Sequence, residues 1–231
     1  MSNEYPLQEV LELACAAQRF NGEYVKEFLP VFDEDETQTK KFPNRTLMAY
    51  TLGIESQMWD ELPSEHRPQL LRITANDQGL ADEIKNYFRR LIFSAIADDN
   101  SFETNVNNLL NSESISPNNF GFIACLPSVY KRYVNQRKVK KASRTCDPAY
   151  LGSVGDRLED LDSEIIEVFK SKNFEAYNIT AIINNKMASW MSKFELVIGP
   201  AVIERAKIKD LSTHYFYGNP VTRLNYVKTA Q

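Results

Sequence analysis

Residues 173–192 read Asn173-Phe-Glu-Ala-Tyr-Asn-Ile-Thr-Ala-Ile-Ile-Asn-Asn-Lys-Met-Ala-Ser-Trp-Met-Ser192. Apolar side chains recur mostly at every second position between Phe174 and Ile183, the period of a strand that buries one face. Asn184 and Asn185 follow, and asparagine tolerates the left-handed conformation that a tight hairpin turn needs. A further run, Lys186–Ser192, carries a tryptophan. The stretch therefore predicts two antiparallel strands joined by a short turn.

Three further runs on either side have the same character. Leu158–Phe169 is rich in aliphatic residues, and Val202–Leu211 alternates lysines on one face with Ala206 and Ile208 on the other. A Gly-Asn-Pro turn at 218–220 leads into the last run, Val221–Lys228. Five strands within about 75 residues, joined by short turns, fit a small closed barrel such as the OB-fold better than a sandwich.

The preceding part of the chain has the period of helices. Apolar residues recur at three- and four-residue spacing over Leu7–Phe20, and Asn21-Gly22 supplies a stop. The widest apolar stripe runs over Asp77–Ala97, and Ser116-Pro117 opens a last helix in which Pro127 predicts a break. The predicted fold is α+β, with an all-helical domain over residues 1–142 and a five-stranded OB-like β-barrel domain over residues 143–231.

Charge divides the chain near the same place. Residues 1–130 hold 10 Lys and Arg against 20 Asp and Glu, and residues 131–231 hold 17 against 11. The net charges are −10 and +6, which together give the −4 of the whole chain. The basic part opens with a run that contains Lys131, Arg132, Arg137, Lys138, Lys140 and Lys141. A surface polarised in this way is typical of proteins that bind polyanions.

Two interpretations of the basic run remain open. It is either a solvated helix end and linker, or an arm that contacts phosphates.

The sequence offers little material for catalysis. It contains no Gly-rich phosphate loop, no G-x-S-x-G motif and no H-E-x-x-H motif. Three carboxylates (Asp162, Glu164 and Glu167) lie close together on one predicted strand and do not converge. The three cysteines are far apart and lack C-x-x-C spacing, which argues against a zinc site or a disulfide framework. We therefore expect no catalytic residue, no metal and no cofactor.

The sequence also lacks the features of membrane or secreted proteins. No apolar run approaches the roughly 18 residues of a membrane span, and the N-terminus has no basic and apolar leader. We expect a cytoplasmic protein without membrane contact, located in the host cytoplasm if a phage encodes it.

Several stretches resemble a known type of protein. These are Tyr150–Arg157, the aromatic second strand, Trp190 on the third strand, and Gly218 with Thr222-Arg-Leu224 near the end. Together they resemble an OB-like domain of bacteriophage single-stranded DNA-binding and DNA-replication accessory proteins. The helical half is similar to the segment that precedes that domain. The resemblance implies binding of single-stranded DNA.

Single-stranded nucleic acid is held by bases stacked on aromatic rings beside a basic groove, and the second and third strands of an OB-fold usually form that platform. The stacking candidates are Phe174, Tyr177 and Trp190, with Lys170, Lys172, Lys186 and Lys193 for phosphates. A second group comprises Tyr215 and Tyr217, with Lys207, Lys209 and Arg223. Whether Tyr177 and Trp190 face the core or the ligand remains open, since both lie on strands with a mixed pattern. The basic run 131–144 completes the candidates.

The sequence predicts a non-enzymatic accessory protein of phage DNA replication or recombination that binds single-stranded DNA with low sequence specificity. The helical domain would contact replication or recombination proteins or mediate self-association. The alternative is a protein–protein adaptor whose barrel binds a protein partner, since many OB barrels bind no nucleic acid.

Overall fold

The computed structural model describes residues 4–32, 38–63, 67–91, 102–171, 173–214 and 218–230. Over these residues the fold is α+β, with helices in the first part and a closed five-stranded barrel in the second, as predicted. The contacts divide the chain into two compact units, Met1–Lys131 and Arg132–Gln231.

The helices follow the predicted apolar pattern. They are α1 Leu7–Asn21, α2 Asn44–Thr51, α3 Gln57–Glu61, α4 Ala75–Leu91, α5 Phe102–Leu110 and α6 Phe120–Thr145. Helix α1 is the most buried of the first unit and packs against α2 and α4. It ends at Gly22, whose φ of 75° is the left-handed conformation that glycine adopts without strain. Residues 92–97, which were also predicted to be helical, lie outside the described residues.

Two short antiparallel ribbons in the first unit were not predicted. One pairs β1 Tyr5–Pro6 with β4 Ser114–Ile115, and the other pairs β2 Leu29–Phe32 with β3 Gln38–Lys41. Strands of two to four residues are too short to show a period of two in the sequence.

Asp77 joins two helices of the first unit. Its Oδ2 accepts hydrogen bonds from the backbone N–H of Thr74 (2.8 Å) and from the Thr74 hydroxyl (2.7 Å), just before the first turn of α4. The Arg19 guanidinium at the end of α1 donates to both carboxylate oxygens, with Nη2 2.9 Å from Oδ2. The carboxylate thus caps one helix and pairs with the other.

Helix α6 contradicts one prediction, because it continues through Pro127 without the expected break. A proline removes one helical hydrogen bond. Here Pro127 is buried next to Leu126, and Ile123 and Ala124 on the preceding turn are also buried. Burial of the proline and of the turn that precedes it therefore offsets the lost hydrogen bond.

The barrel consists of β5 Arg157–Lys170, β6 Tyr177–Ile183, β7 Lys186–Ser192, β8 Gly199–Thr213 and β9 Pro220–Ala230. The strand order is β5-β6-β7-β9-β8, and β8 closes the barrel on β5. All pairs are antiparallel except β7 with β9, which are parallel. The β6–β7 turn is formed by Asn184 and Asn185 with φ of 46° and 58°, as a type I′ hairpin requires.

The barrel core is made of alternate residues of all five strands. It contains Ile165, Ile179, Ala181, Ile183, Ala188, Trp190, Ala201, Ile203, Ala206, Ile208 and Leu224. The prediction that Ala206 and Ile208 face inward while Lys207 and Lys209 face outward is confirmed.

The last turns of α6 cover one part of the barrel's outer face. Val139, Ala142 and Cys146 form an apolar cluster with Ile166, Met187 and Val221 of three different strands. The Asn219 side-chain amide donates to the Ser143 carbonyl, and the backbone N–H of Asp147 donates to the Asn185 carbonyl at 2.8 Å. This end of the helix is therefore part of the barrel unit.

Candidate nucleic-acid interface

Two rows of side chains cross the barrel's outer face where α6 leaves it uncovered. In the first row Glu167 pairs with Thr180, Thr180 with Ser189, and Ser189 with Arg223, so the row crosses β5, β6, β7 and β9. In the second row Phe169 pairs with Asn178, which pairs with Met191. Residues directly opposite on paired strands share a face. The sheet thus presents one polar row beside one that contains an aromatic ring and a thioether.

The two rows form the floor of a groove of about 940 Å³, here called the barrel groove. Gln136 and Val139 of α6 line one side, and residues 209 and 212–214 near the end of β8 line another. Strand β9 contributes Val221 and residues 223–226. All of these residues belong to the barrel unit.

The barrel groove continues between β7 and β9 because these strands pair over only two positions. The pairs are Ala188 with Thr222 and Ser189 with Arg223. Beyond Ser189, β7 makes no further pair with β9 among the described residues, and Trp190 and Leu224 line the gap. Two side chains of the barrel core therefore also line the groove.

Tyr226 has a backbone conformation that is unusual for its residue type. Asn225 pairs with Lys207 and Lys228 pairs with Arg205, so Tyr226 and Val227 lie opposite Ala206 alone. This is a β-bulge, and Tyr226 has a φ of 53°, in the left-handed region where bulges usually carry glycine. A side chain at this φ costs about 1–2 kcal/mol. The bulge places on the groove wall a ring that is 78% exposed.

Two cations line the barrel groove on the β8–β9 side. They are Lys209 and Arg223, both exposed. Arg223 Nη1 lies 3.4 Å from Asp210 Oδ2, with both side chains about half exposed, so the pair is weak and screened. On α6, Arg132 and Lys140 lie one turn before and after Gln136, hence on the same edge of the helix. Cations therefore flank the groove from two elements.

One carboxylate lines the barrel groove among the described residues. Glu167 is half-buried, and burial raises the pKa of its carboxyl, although the Thr180 hydroxyl donates to Oε2 at 3.1 Å. His214 also lines the groove, and burial lowers the pKa of its imidazole. In the same wall the Asn225 side-chain oxygen is buried and accepts no hydrogen bond from the described residues.

Some of the predicted site residues line the barrel groove, and others lie together at one end of the barrel. Trp190, Lys209 and Arg223 line the barrel groove, although only 6% of Trp190 is exposed because its ring lies in the core. Tyr177 pairs with Lys170 and with Ser192, which brings the exposed Lys170, Lys193 and Phe174 to one end of the barrel. Tyr177 itself is partly buried against the core.

The remaining candidates are dispersed or lie outside the described residues. Lys186 follows the turn at the opposite end of the barrel, and Lys207 faces outward on β8. The cations of the basic run are exposed on α6: Lys131, Arg132, Arg137, Lys138, Lys140 and Lys141. Lys172, Tyr215 and Tyr217 lie outside the described residues.

Sequence reasoning missed three exposed rings of the barrel unit. Phe194, which follows Lys193 in the loop after β7, is 76% exposed, and Phe169 and Tyr226 line the barrel groove. An aromatic residue beside a lysine just after a strand was a usable signal for Phe194. Phe169 and Tyr226 gave none, because Phe169 follows a bulge that shifts the alternation by one residue and Tyr226 lies within a bulge.

The described residues offer neither a membrane-spanning helix nor a metal-ligand cluster. No helix among them is both long and apolar enough to cross a membrane. No group of three or more His, Cys, Asp or Glu side chains in that part of the chain could hold a metal ion.

Comparison with protein-family models, curated proteins and solved structures finds no match for this chain. The resemblance to bacteriophage single-stranded DNA-binding proteins therefore stays a prediction.

Proposed function

We propose that this protein binds single-stranded DNA in the barrel groove, as a non-enzymatic accessory protein of phage DNA replication or recombination. The observation that supports this best is Tyr226. A bulge holds its backbone in a conformation unfavourable for tyrosine and leaves its ring largely exposed in a groove that also contains Lys209 and Arg223. Strained residues of this kind cluster at ligand sites, where the strain is part of the function.

The chemistry of the barrel groove fits an unpaired strand. Each base stacked on an aromatic ring contributes roughly 1–3 kcal/mol, and stacking tolerates any base because every base has a π-face. Tyr226 and Phe169 offer such rings, while Lys209 and Arg223 can neutralise phosphates. Bases inside a duplex have no free faces, so the groove should favour single strands.

The helical unit would have a separate role. Residues 1–130 carry a net charge of −10, which disfavours contact with a polyanion. We assign to this unit the contact with replication or recombination proteins, or self-association.

Replacing Tyr226 by glycine should weaken DNA binding while raising the stability of the fold. The substitution removes the ring and should weaken single-strand binding about tenfold, the value of one stacked base. It also relieves the left-handed strain, so the free energy of unfolding should rise by about 0.5–1 kcal/mol. Binding is measured by fluorescence anisotropy with a labelled strand of about 30 nucleotides, longer than the roughly 4–16 nucleotides that one OB-fold covers.

A matched control is Asn184→Gly, which relieves a similar positive φ in the β6–β7 turn without removing a ring from the groove. This variant should bind like the wild type. Equal affinity of the wild type and Tyr226→Gly would show that the ring does not stack on the ligand.

The same assay tests the proposal as a whole. Affinity should fall steeply between low and moderate salt because each neutralised phosphate releases counterions, and a duplex control should bind more weakly. An RNA strand of the same sequence shows whether the groove distinguishes the two sugars. If none of the three binds at low salt, the proposal is wrong, and the adaptor becomes the function to test by partner capture.

A further inference from the structure

Glu167 is the unexpected residue of the barrel groove. A carboxylate in a phosphate-binding groove repels the ligand's backbone, and this one is half-buried, which adds a desolvation cost. It forms no ion pair with any described residue. Oε2 accepts one hydrogen bond, from Thr180, and Oε1 accepts none within the described part of the chain. The protein itself therefore leaves most of this acceptor's capacity unused.

The polar row separates this carboxylate from the cations. Glu167 is on β5 and Arg223 on β9, three inter-strand steps apart, or about 14 Å along the sheet at 4.7–4.9 Å per step. A bound strand would place its phosphates along Lys209 and Arg223. Its bases would then lie over the row toward β5, with their edges meeting Glu167.

Base edges differ in what they offer to a carboxylate. An ionised carboxylate only accepts hydrogen bonds, and its two oxygens suit a pair of parallel donors. In an unpaired strand the Watson–Crick edge is free to be bound. Guanine presents two adjacent N–H donors there, N1–H and N2–H, whereas the single ring N–H of thymine lies between two carbonyl oxygens.

We infer that Glu167 gives the barrel groove a preference for guanine, through hydrogen bonds from the N1–H and N2–H of an unpaired base to its carboxylate. The inference rests on the proposed function, because it requires a single strand in the groove. It adds a bias for one base to a binding mode that is otherwise insensitive to sequence.

The sharpest probe is inosine, whose base, hypoxanthine, is guanine without the 2-amino group. Anisotropy titrations would compare strands of alternating thymine and guanine with strands of alternating thymine and inosine, in lithium buffer to avoid quadruplexes. The wild type should bind the guanine strand about tenfold more tightly, the value of a hydrogen bond to a charged group. In Glu167→Gln the ratio of the affinities for the guanine and inosine strands should fall close to one. The glutamine amide has one acceptor oxygen only, and its NH2 group would face a donor of the base.

A matched control is Glu164→Gln, which removes the same charge from an exposed position of β5 outside the barrel groove. It should keep the wild-type ratio, so a general gain in affinity from lost negative charge is distinguished from base selection. A wild-type ratio of one, with salt-sensitive binding of both strands, would overturn the guanine preference and leave the proposed function intact. Failure of the wild type to bind either strand would overturn both.

Discussion

Trp190→Ala is expected to lower the free energy of unfolding of the barrel by about 4 kcal/mol, the usual cost of removing a large aromatic side chain from a core. The ring is 6% exposed and packs in the cluster that contains Ile179 and Leu224. Urea unfolding followed by circular dichroism measures the change. An unfolding free energy close to that of the wild type would show that the indole does not contribute to the core.

This result changes how a binding defect should be interpreted. Trp190 also lines the barrel groove, so Trp190→Ala would weaken DNA binding through partial unfolding whether or not the ring stacks on a base. Trp190→Phe keeps most of the apolar volume and should cost less than half as much stability. Only a binding loss in that folded variant would indicate direct contact.

Asp77→Ala should destabilise the helical unit by about 3 kcal/mol. The substitution removes the cap of α4 and leaves the Arg19 guanidinium without its carboxylate, and losing a buried ionic partner is costly. The Arg19 side chain is about half exposed, which keeps the cost at the lower end of the range. Asp82→Ala, on the same helix but exposed, should change stability by no more than about 0.5 kcal/mol. A similar loss of stability in both variants would contradict the role of Asp77 as the helix cap and the partner of Arg19.

The pH dependence of unfolding offers a second readout for Asp77. Burial acts to raise the pKa of its carboxyl, but hydrogen bonds from Arg19 and Thr74 outweigh it and hold the pKa below its usual value. The unfolded state therefore binds the proton more readily, so the carboxylate stabilises the fold above its unfolded pKa. That contribution is lost as the pH falls through the folded pKa. Below about pH 4, Asp77→Asn should show a shallower loss of stability than the wild type.

The sequence predicted the barrel well because each strand carries its own pattern. The period of two in β6 and β8, and the Asn184-Asn185 turn, depend on neighbours close in the chain. The rows of the barrel groove depend on strand register, which brings Glu167, Ser189 and Arg223 together. The bulge after Ile165 on β5 and the bulge at Tyr226 on β9 each shift the following residues of their strand to the other face, and neither bulge is visible in the local sequence pattern.

The local sequence also could not predict on which face of its strand Trp190 lies. Its neighbours Ala188 and Ser192 are small, so the sequence left open whether its face was apolar. The core is formed instead by long-range partners such as Leu224. The break predicted at Pro127 was wrong because the local cost of the proline is offset by burial of the proline and of the turn that precedes it.

The last turns of α6 also determine where a soluble barrel fragment can begin. A recombinant fragment that began at residue 143 would lack Val139 and Ala142, leaving Ile166, Met187 and Val221 bare to solvent. Exposed apolar surface of this kind promotes aggregation. A fragment beginning at Arg132 keeps the covering turns and should elute as a single species in size-exclusion chromatography, whereas the shorter fragment should elute as aggregates.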